Sequence, residues 1–145
     1  MEYYSSKELK RFNYLLGEID AAYHEMSLKL GISDSAMKIL YAICDSGESC
    51  LLQEIVRRCG LSKQTVNSSI RKLENEGIVY LENVSAKAKK VCLTDSGKNL
   101  ANKTAFHVMA LENSIFASWT PDEVQTYLNL TERFLNDVRE KKNDL

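Results

Sequence analysis

Apolar residues near the start of the chain recur in alternating steps of three and four, from Leu9 to Leu30. This spacing places them on one narrow stripe of an α-helix, and it predicts a single long helix over residues 5–31. Ser5 is its expected N-cap and Gly31 its expected end, because a serine hydroxyl satisfies free backbone donors and glycine tolerates the left-handed conformation. The helix is longer than a small core needs, so we expect part of its stripe to pack on a second copy of the chain.

Three shorter helical patterns follow, over residues 33–47, 53–59 and 62–77, and Ser62 is the expected N-cap of the last one. The last two are joined by a short turn that contains Gly60, which is the arrangement of a helix-turn-helix. The run at 50–52 is interpreted as a very short strand. The helix-turn-helix is therefore predicted to lie near the middle of the chain.

After Gly77 the spacing of apolar residues changes from helical to alternating. Residues 78–83 and 90–93 are then predicted to be the two strands of a hairpin, with residues 84–89 at its tip. A hairpin directly behind a helix-turn-helix makes a winged helix. We therefore assign residues 33–98 to a winged helix-turn-helix core.

Two more striped helices are predicted after the hairpin. Thr94 opens one that continues without a break to Ile115, and Thr120 opens the last one with a capping box. Together with the first helix, residues 94–140 are predicted to form dimerisation helices around the core. The fold expected for residues 1–145 is one mainly α domain with a small β-hairpin wing.

The third helix of the predicted core pairs a buried stripe with an outer face rich in hydrogen-bond donors. Val66, Ile70 and Leu73 form the stripe. The outer face, which we predict to contact DNA, carries Ser62, Lys63, Gln64, Thr65, Asn67, Ser68, Arg71 and Lys72. Such side chains bind base edges and phosphates. An ordinary amphipathic surface helix has the same pattern, so the assignment depends on the neighbouring elements.

Cations on two neighbouring elements favour a nucleic-acid partner. The predicted DNA contacts at the hairpin tip are Lys87, Lys89 and Lys90, and the helix before the turn offers Arg57 and Arg58 to phosphates. Residues 53–98 contain nine Lys and Arg against five Asp and Glu, a net charge of +4. Because the whole chain carries −1, the remainder carries −5, which suits a basic head on an acidic body. A solvated hairpin that lysines protect against aggregation is the alternative interpretation of the tip.

The sequence lacks the residue patterns that are typical of zinc sites, membrane proteins and enzymes. The cysteines form no C-x-x-C pair, which disfavours a zinc site; they are Cys44, Cys50, Cys59 and Cys92. The sequence has no apolar signal core and no run long enough to span a membrane, so we expect a cytoplasmic protein with reduced thiols and no membrane partner. No nucleophile-base arrangement, carboxylate pair or glycine-rich phosphate loop stands out, so we expect no enzyme, no cofactor and no metal.

Three motifs occur in the order of the predicted elements: L-S-K-Q-T-V at 61–66, L-E-N-E-G-I-V at 73–79 and L-T-D-S-G at 93–97. With these motifs and the flanking helices, nearly the whole chain resembles the MarR family of winged-helix transcription regulators. The resemblance implies a homodimer that binds double-stranded DNA, with two recognition helices in successive major grooves of a near-palindromic operator. It also implies release from DNA by a small-molecule effector, whose identity and binding residues it leaves unspecified.

The wing tip departs from the family pattern. Ser85 stands where the family usually has an Asp, and Lys87 stands where it has an Arg. Lysine lacks the planar fork of a guanidinium, so the wing is expected to contact DNA more weakly or through charge alone. This departure leaves open a winged-helix module that binds protein instead of DNA. A regulator that senses oxidants through its thiols is a further alternative.

Overall fold

The computed structural model describes residues 3–145, which contain seven α-helices and three short strands. The helices are α1 (Lys7–Leu30), α2 (Asp34–Asp45), α3 (Leu52–Cys59), α4 (Lys63–Asn75), α5 (Asp95–Lys103), α6 (Ala105–Ser118) and α7 (Pro121–Lys141). The strands are β1 (Ser49–Leu51), β2 (Val79–Ser85) and β3 (Ala88–Leu93), which form one antiparallel sheet in the order β1-β3-β2. A turn of 3-10 helix, Lys142–Asp144, follows α7. The predicted mainly helical fold with a winged helix-turn-helix is confirmed.

The chain divides into two compact units, one up to Val108 and one from Met109 to Leu145. The core of the first unit lies where α2, α3 and α4 pack on one another and on the sheet. Its buried apolar side chains include Ile39, Leu40, Ile43, Ile55, Val66, Ile70, Leu73, Val79 and Val91. This set includes the whole predicted stripe of α4, so that prediction is confirmed. The outer face of α4 is thereby held away from the core.

The first helix begins one residue later than predicted. Ser6 is its N-cap, and the Ser6 hydroxyl accepts the N–H of Leu9 at 3.0 Å. Ser5 and Ser6 have the same side chain, and Ser6 is the last residue with an extended backbone before the helix. The end at Gly31 is as predicted, with a φ of 71°. Three residues of its stripe, Leu9, Leu16 and Ile19, are 43–47% exposed.

The two strands of the wing are longer than predicted. β2 continues to Ser85 and β3 begins at Ala88, so the tip is a two-residue turn of Ala86 and Lys87. The ladder shifts its register between Asn83 and Ser85, and pairing resumes beyond the shift. The prediction of a six-residue tip is wrong because a backbone ladder requires no apolar side chains, only paired N–H and C=O groups.

The helix predicted to continue without a break from Thr94 to Ile115 is interrupted at Thr104. The Thr104 backbone leaves the helical region, with φ −125° and ψ −86°, and it separates α5 from α6. The Thr104 side chain is buried, and its hydroxyl donates to the Leu100 carbonyl oxygen at 2.8 Å. A threonine that bonds back to the preceding turn bends a helix, and the spacing of apolar residues carries no sign of it.

The second unit is helical and carries the end of α6 and all of α7. The predicted capping box is present: the Thr120 hydroxyl accepts the Glu123 N–H at 3.1 Å, and the Glu123 carboxylate accepts the Thr120 N–H at 2.9 Å. The hydrogen bond from the Thr120 backbone lowers the pKa of Glu123. The Trp119 ring packs edge to face against two other rings. Its centroid lies 5.3 Å from that of Phe116 and 5.4 Å from that of Tyr127.

Apolar side chains remain exposed along α7 as well. Leu128, Leu135 and Val138 are 45–48% exposed. Within residues 3–145, no helix is both long enough and apolar enough to span a lipid bilayer. The exposed stripes of α1 and α7 are therefore large apolar surfaces on amphipathic helices, and such surfaces mark interaction sites.

Candidate nucleic-acid interface

The start of α4 is fixed by its predicted cap. The Ser62 hydroxyl accepts the backbone N–H of Thr65 at 3.1 Å and lies 2.8 Å from the Thr65 hydroxyl. This pair of bonds satisfies a free donor of the first turn and holds the Thr65 side chain in one position. The predicted role of Ser62 as an N-cap is confirmed.

The predicted contact residues of α4 lie on its solvent side. All are exposed except Asn67, which is partly buried. Gln64, Ser68 and Arg71 are spaced by four and three residues, so they form one line along the helix, opposite the buried stripe. This line combines an amide, a hydroxyl and a guanidinium, which are groups that bind base edges in a major groove.

The two arginines of α3 differ in their surroundings. Arg58 is paired with the Asp45 carboxylate at the end of α2, and its Nη1 donates to the Ser46 hydroxyl at 3.2 Å. The hydrogen bond with Asp45 raises the pKa of Arg58 further above its usual value. Arg57 is 82% exposed at its side chain and lies 3.7 Å from Glu54. Both arginines therefore have a carboxylate neighbour, but Arg57 is far more accessible to an external anion.

The lysines predicted at the wing tip also differ. Lys87 lies in the turn, where its N–H donates to the Ser85 hydroxyl at 3.3 Å. Lys89 and Lys90 lie within β3 and point to opposite faces of the sheet, as successive strand residues do. The Lys90 ammonium lies 3.8 Å from the Glu82 carboxylate. Lys90 was predicted both to begin the return strand and to contact DNA from the tip; it does lie in the strand, but β3 begins two residues earlier, at Ala88, and Lys90 is therefore not at the tip.

A groove of about 440 Å³ separates the wing from the two helices of the helix-turn-helix. Its walls are Leu52, Gln53 and Val56 of α3, Lys63 of α4, and Asn83, Ser85, Ala86, Lys87, Ala88 and Lys89 of the wing. Sequence reasoning did not assign Gln53 and Asn83 to any site. They have no common motif or spacing, and only the folded arrangement of α3 and the wing brings them to one groove. The N-cap residue of α3 is Leu51, whose side chain makes no capping hydrogen bond.

The junction between α4 and the wing is held by the L-T-D-S-G motif. The Thr94 hydroxyl lies 2.5 Å from the carbonyl oxygen of Gly77 and 3.1 Å from that of Ile78, and the Thr94 N–H donates to Ile78. A Cβ atom added to Gly97 would lie 2.0 Å from the same Ile78 oxygen. Only glycine fits there, so α5 begins in direct contact with the connection that follows α4.

The thiols of the first unit are all buried. Burial raises the pKa of Cys44 to about 11 and also raises the pKa of Cys59. Both thiols are therefore held in the protonated form, which is the less reactive form toward oxidants. Residues 3–145 contain no group of three or more His, Cys, Asp or Glu side chains arranged to hold a metal ion.

Comparison with known proteins gives a family for the central part of the chain. Residues 30–89 match the family model described as MarR family. No curated protein sequence matches the chain.

Several solved structures share the fold. NMB1585, a MarR family regulator from Neisseria meningitidis, superposes with a TM-score of 0.78 at 20% identity, over 94% of this chain and 96% of that one. Sco3205, a MarR family transcriptional regulator from Streptomyces coelicolor solved in complex with DNA, gives 0.68 at 18% identity, over 94% and 91%. BpsR from Bordetella bronchiseptica, whose DNA binding is regulated by 6-hydroxynicotinic acid, gives 0.64 at 18% identity, over 86% and 98%.

Proposed function

We propose that this chain, a winged-helix protein that matches the MarR family model over residues 30–89, is a sequence-specific DNA-binding transcription regulator. The observation that carries this proposal is the outer face of α4. A buried stripe and a serine cap hold that face outward, and it lines up amide, hydroxyl and guanidinium groups. A basic wing lies on one side of it. Sco3205, a structural neighbour solved with DNA, supports the same partner.

The residues of this face divide into two roles. We assign Gln64, Ser68 and Arg71 to base edges, since they line the solvent side of α4. Phosphate contacts are assigned to the cations and small polar groups around them: Arg57, Ser62, Lys63, Thr65, Asn67, Lys72, Lys87 and Lys89. Arg58 and Lys90 are left out because each lies beside a carboxylate with its side chain only 31% or 36% exposed, whereas Arg57, which also has a carboxylate neighbour, is 82% exposed.

A homodimer is the proposed form of the regulator. The exposed apolar stripes of α1 and α7 provide surfaces that a second copy would cover. Two copies related by a two-fold axis present two α4 helices, so the operator is expected to be an inverted repeat with half-sites about ten base pairs apart. We also propose that a small molecule regulates binding, supported by BpsR, whose DNA binding responds to 6-hydroxynicotinic acid.

Selection of bound duplexes from a random DNA library tests the proposal most directly. The expected result is enrichment of an inverted repeat with that half-site spacing. Failure to enrich any sequence, together with binding that does not depend on salt, would contradict the proposal and favour a protein-interaction module.

Replacement of Arg71 by alanine tests the role of α4 on the selected duplex. We expect R71A to lose about 1–3 kcal/mol of binding free energy on the operator, because a bidentate contact to a base has this value. Fluorescence anisotropy measures the affinity. Arg139→Ala, an exposed arginine near the end of α7, is the matched control and is expected to bind as the wild type does. Equal affinities of R71A and wild type would exclude Arg71 from the interface.

A further inference from the structure

The groove between the wing and the helix-turn-helix has the size and the lining of a small-ligand site. Its volume of about 440 Å³ lies within the range of small-molecule pockets. Its walls combine apolar side chains with a few polar groups from α3, α4 and the wing, which is the usual lining of such pockets. One chain forms the whole groove, so a ligand that binds there needs no contribution from a second copy.

The charges in this groove favour an anion with more than one negative charge. Lys63, Lys87 and Lys89 all line it. Among residues 3–145, no carboxylate lies within 4.0 Å of any of these three ammonium groups. The first turn of α4, which begins at Lys63, contains no acidic residue either, so the positive end of the helix dipole adds to the lysines. Three uncompensated cations exceed what a single carboxylate would neutralise.

The remaining walls favour an anion that carries a flat ring. Leu52 and Val56 give the α3 side of the groove an apolar surface on which a ring can pack. Gln53 and Asn83 bring amide groups to the same groove, and amides form paired hydrogen bonds with the edge of an adenine base. The lining therefore combines a subsite for phosphates with a subsite for a base.

We propose that the groove is a binding site for a nucleoside di- or triphosphate that competes with DNA. The three lysines hold its phosphates, and the α3 wall holds its base. Lys63, Lys87 and Lys89 are also the cations assigned to DNA phosphates, so a nucleotide and a duplex exclude each other. This competition rests on the DNA-binding function proposed above, whereas binding of the nucleotide to the free protein does not.

Isothermal titration calorimetry of the free protein tests the two subsites separately. The probes are ATP, inorganic tripolyphosphate and adenosine, each in buffer without divalent cations. We expect ATP to bind most tightly and tripolyphosphate to bind several-fold more weakly, because it lacks the base. Adenosine lacks the phosphates and is expected to bind more weakly than either.

Three variants locate the site within the groove. Lys89→Ala is expected to weaken binding of both ATP and tripolyphosphate by about three- to fivefold, the upper range for one exposed ion pair. Lys90→Ala is the matched control, because Lys90 points to the other face of the sheet and lies 3.8 Å from the Glu82 carboxylate. Val56→Ala removes apolar surface without changing the charge, so it should weaken binding of ATP and leave that of tripolyphosphate unchanged. Thermal unfolding checks that all three variants fold.

Several results of these titrations would overturn the proposal and leave the DNA-binding function intact. One is the absence of ATP binding to the folded wild type at millimolar concentration. Another is equal affinity for ATP and tripolyphosphate, which would show that charge alone binds these ligands. Equal effects of K89A and K90A on ATP binding would place the site outside the groove.

Fluorescence anisotropy of labelled DNA in the presence of ATP tests the competition. Ionic strength is held constant, because DNA binding depends on salt. We expect the affinities for the selected operator and for a scrambled duplex to fall by the same factor, since the shared contacts are to phosphates. The apparent dissociation constant of the duplex should rise in proportion to ATP concentration without reaching a plateau.

A plateau in this titration would show that ATP and the duplex bind together, and it would overturn the competition. Wild-type protein that binds neither duplex would overturn the DNA-binding function and, with it, the competition. The calorimetric titrations would still decide whether the groove binds a nucleotide, so failure of one proposal is distinguishable from failure of the other.

Discussion

The outer face of α4 and the wing both present cations to the proposed partner, but they are built differently. α4 rests on three buried apolar side chains and a serine cap, and its outer line mixes an amide, a hydroxyl and a guanidinium. The wing is an antiparallel hairpin with a two-residue turn, and its charged groups on the groove side are two lysines, Lys87 and Lys89. A rigid surface of varied hydrogen-bonding groups suits selection among bases, whereas flexible point charges suit phosphates. We therefore assign sequence specificity to α4 and general affinity for DNA to the wing.

The largest effect, a loss of folding stability, is expected at the contact that joins α4 to the wing. Gly97→Ala places a Cβ 2.0 Å from the Ile78 oxygen, which is a backbone atom that cannot move away cheaply. We expect a loss of about 3 kcal/mol in unfolding free energy, at the upper end for added volume in a packed site. Urea unfolding followed by circular dichroism measures it.

Gly17→Ala in α1 is the matched control, because nothing lies within 4 Å of its added Cβ. We expect that variant to be as stable as the wild type or up to about 1 kcal/mol more stable, since alanine is the better helix former. Similar stabilities of the two variants would show that the contact between Gly97 and Ile78 is loose.

A smaller effect, on operator affinity, is expected from a substitution on the outer face of α4. Gln64→Ala should weaken operator binding by about 1–3 kcal/mol and leave the scrambled duplex unaffected, because its amide is assigned to a base edge. Anisotropy titrations of both duplexes give the ratio of the two affinities. Equal losses on the operator and the scrambled duplex would show that Gln64 contacts a phosphate and not a base. They would contradict the assignment of specificity to α4 and of general affinity to the wing.

The smallest effect is expected at the wing turn. The Ser85 hydroxyl accepts the Lys87 N–H, so Ser85→Ala removes one local bond from an exposed turn. We expect a loss of under about 1 kcal/mol in binding, equal for both duplexes, since a net hydrogen bond has about this value. Ser85→Asp retains an acceptor at the same position and provides the comparison variant. A loss confined to the operator would show that the geometry of the turn contributes to base selection.

The sequence predicted the parts of this interface that lie within one element. Ser62, Val66 and Ile70 are recognisable because a cap and a stripe have fixed spacing along a helix. The groove was not predictable, since Gln53, Lys63 and Asn83 come from three elements that only the fold brings together. The sequence pattern groups Lys89 and Lys90 at the tip because Ala88 and Lys89 have weak strand preference, although β3 begins at Ala88. Once the strand is known, their alternation separates one lysine from the other.

The contact of Thr94 and Gly97 with the Gly77–Ile78 segment reduces the number of independent motions in the first unit. Hydrogen bonds and steric contact tie the start of α5 to the connection between α4 and β2. A rotation of α5 must then carry the base of the hairpin and the end of α4 with it. We therefore expect a displacement of α5 to reach both surfaces proposed to contact DNA through this one connection.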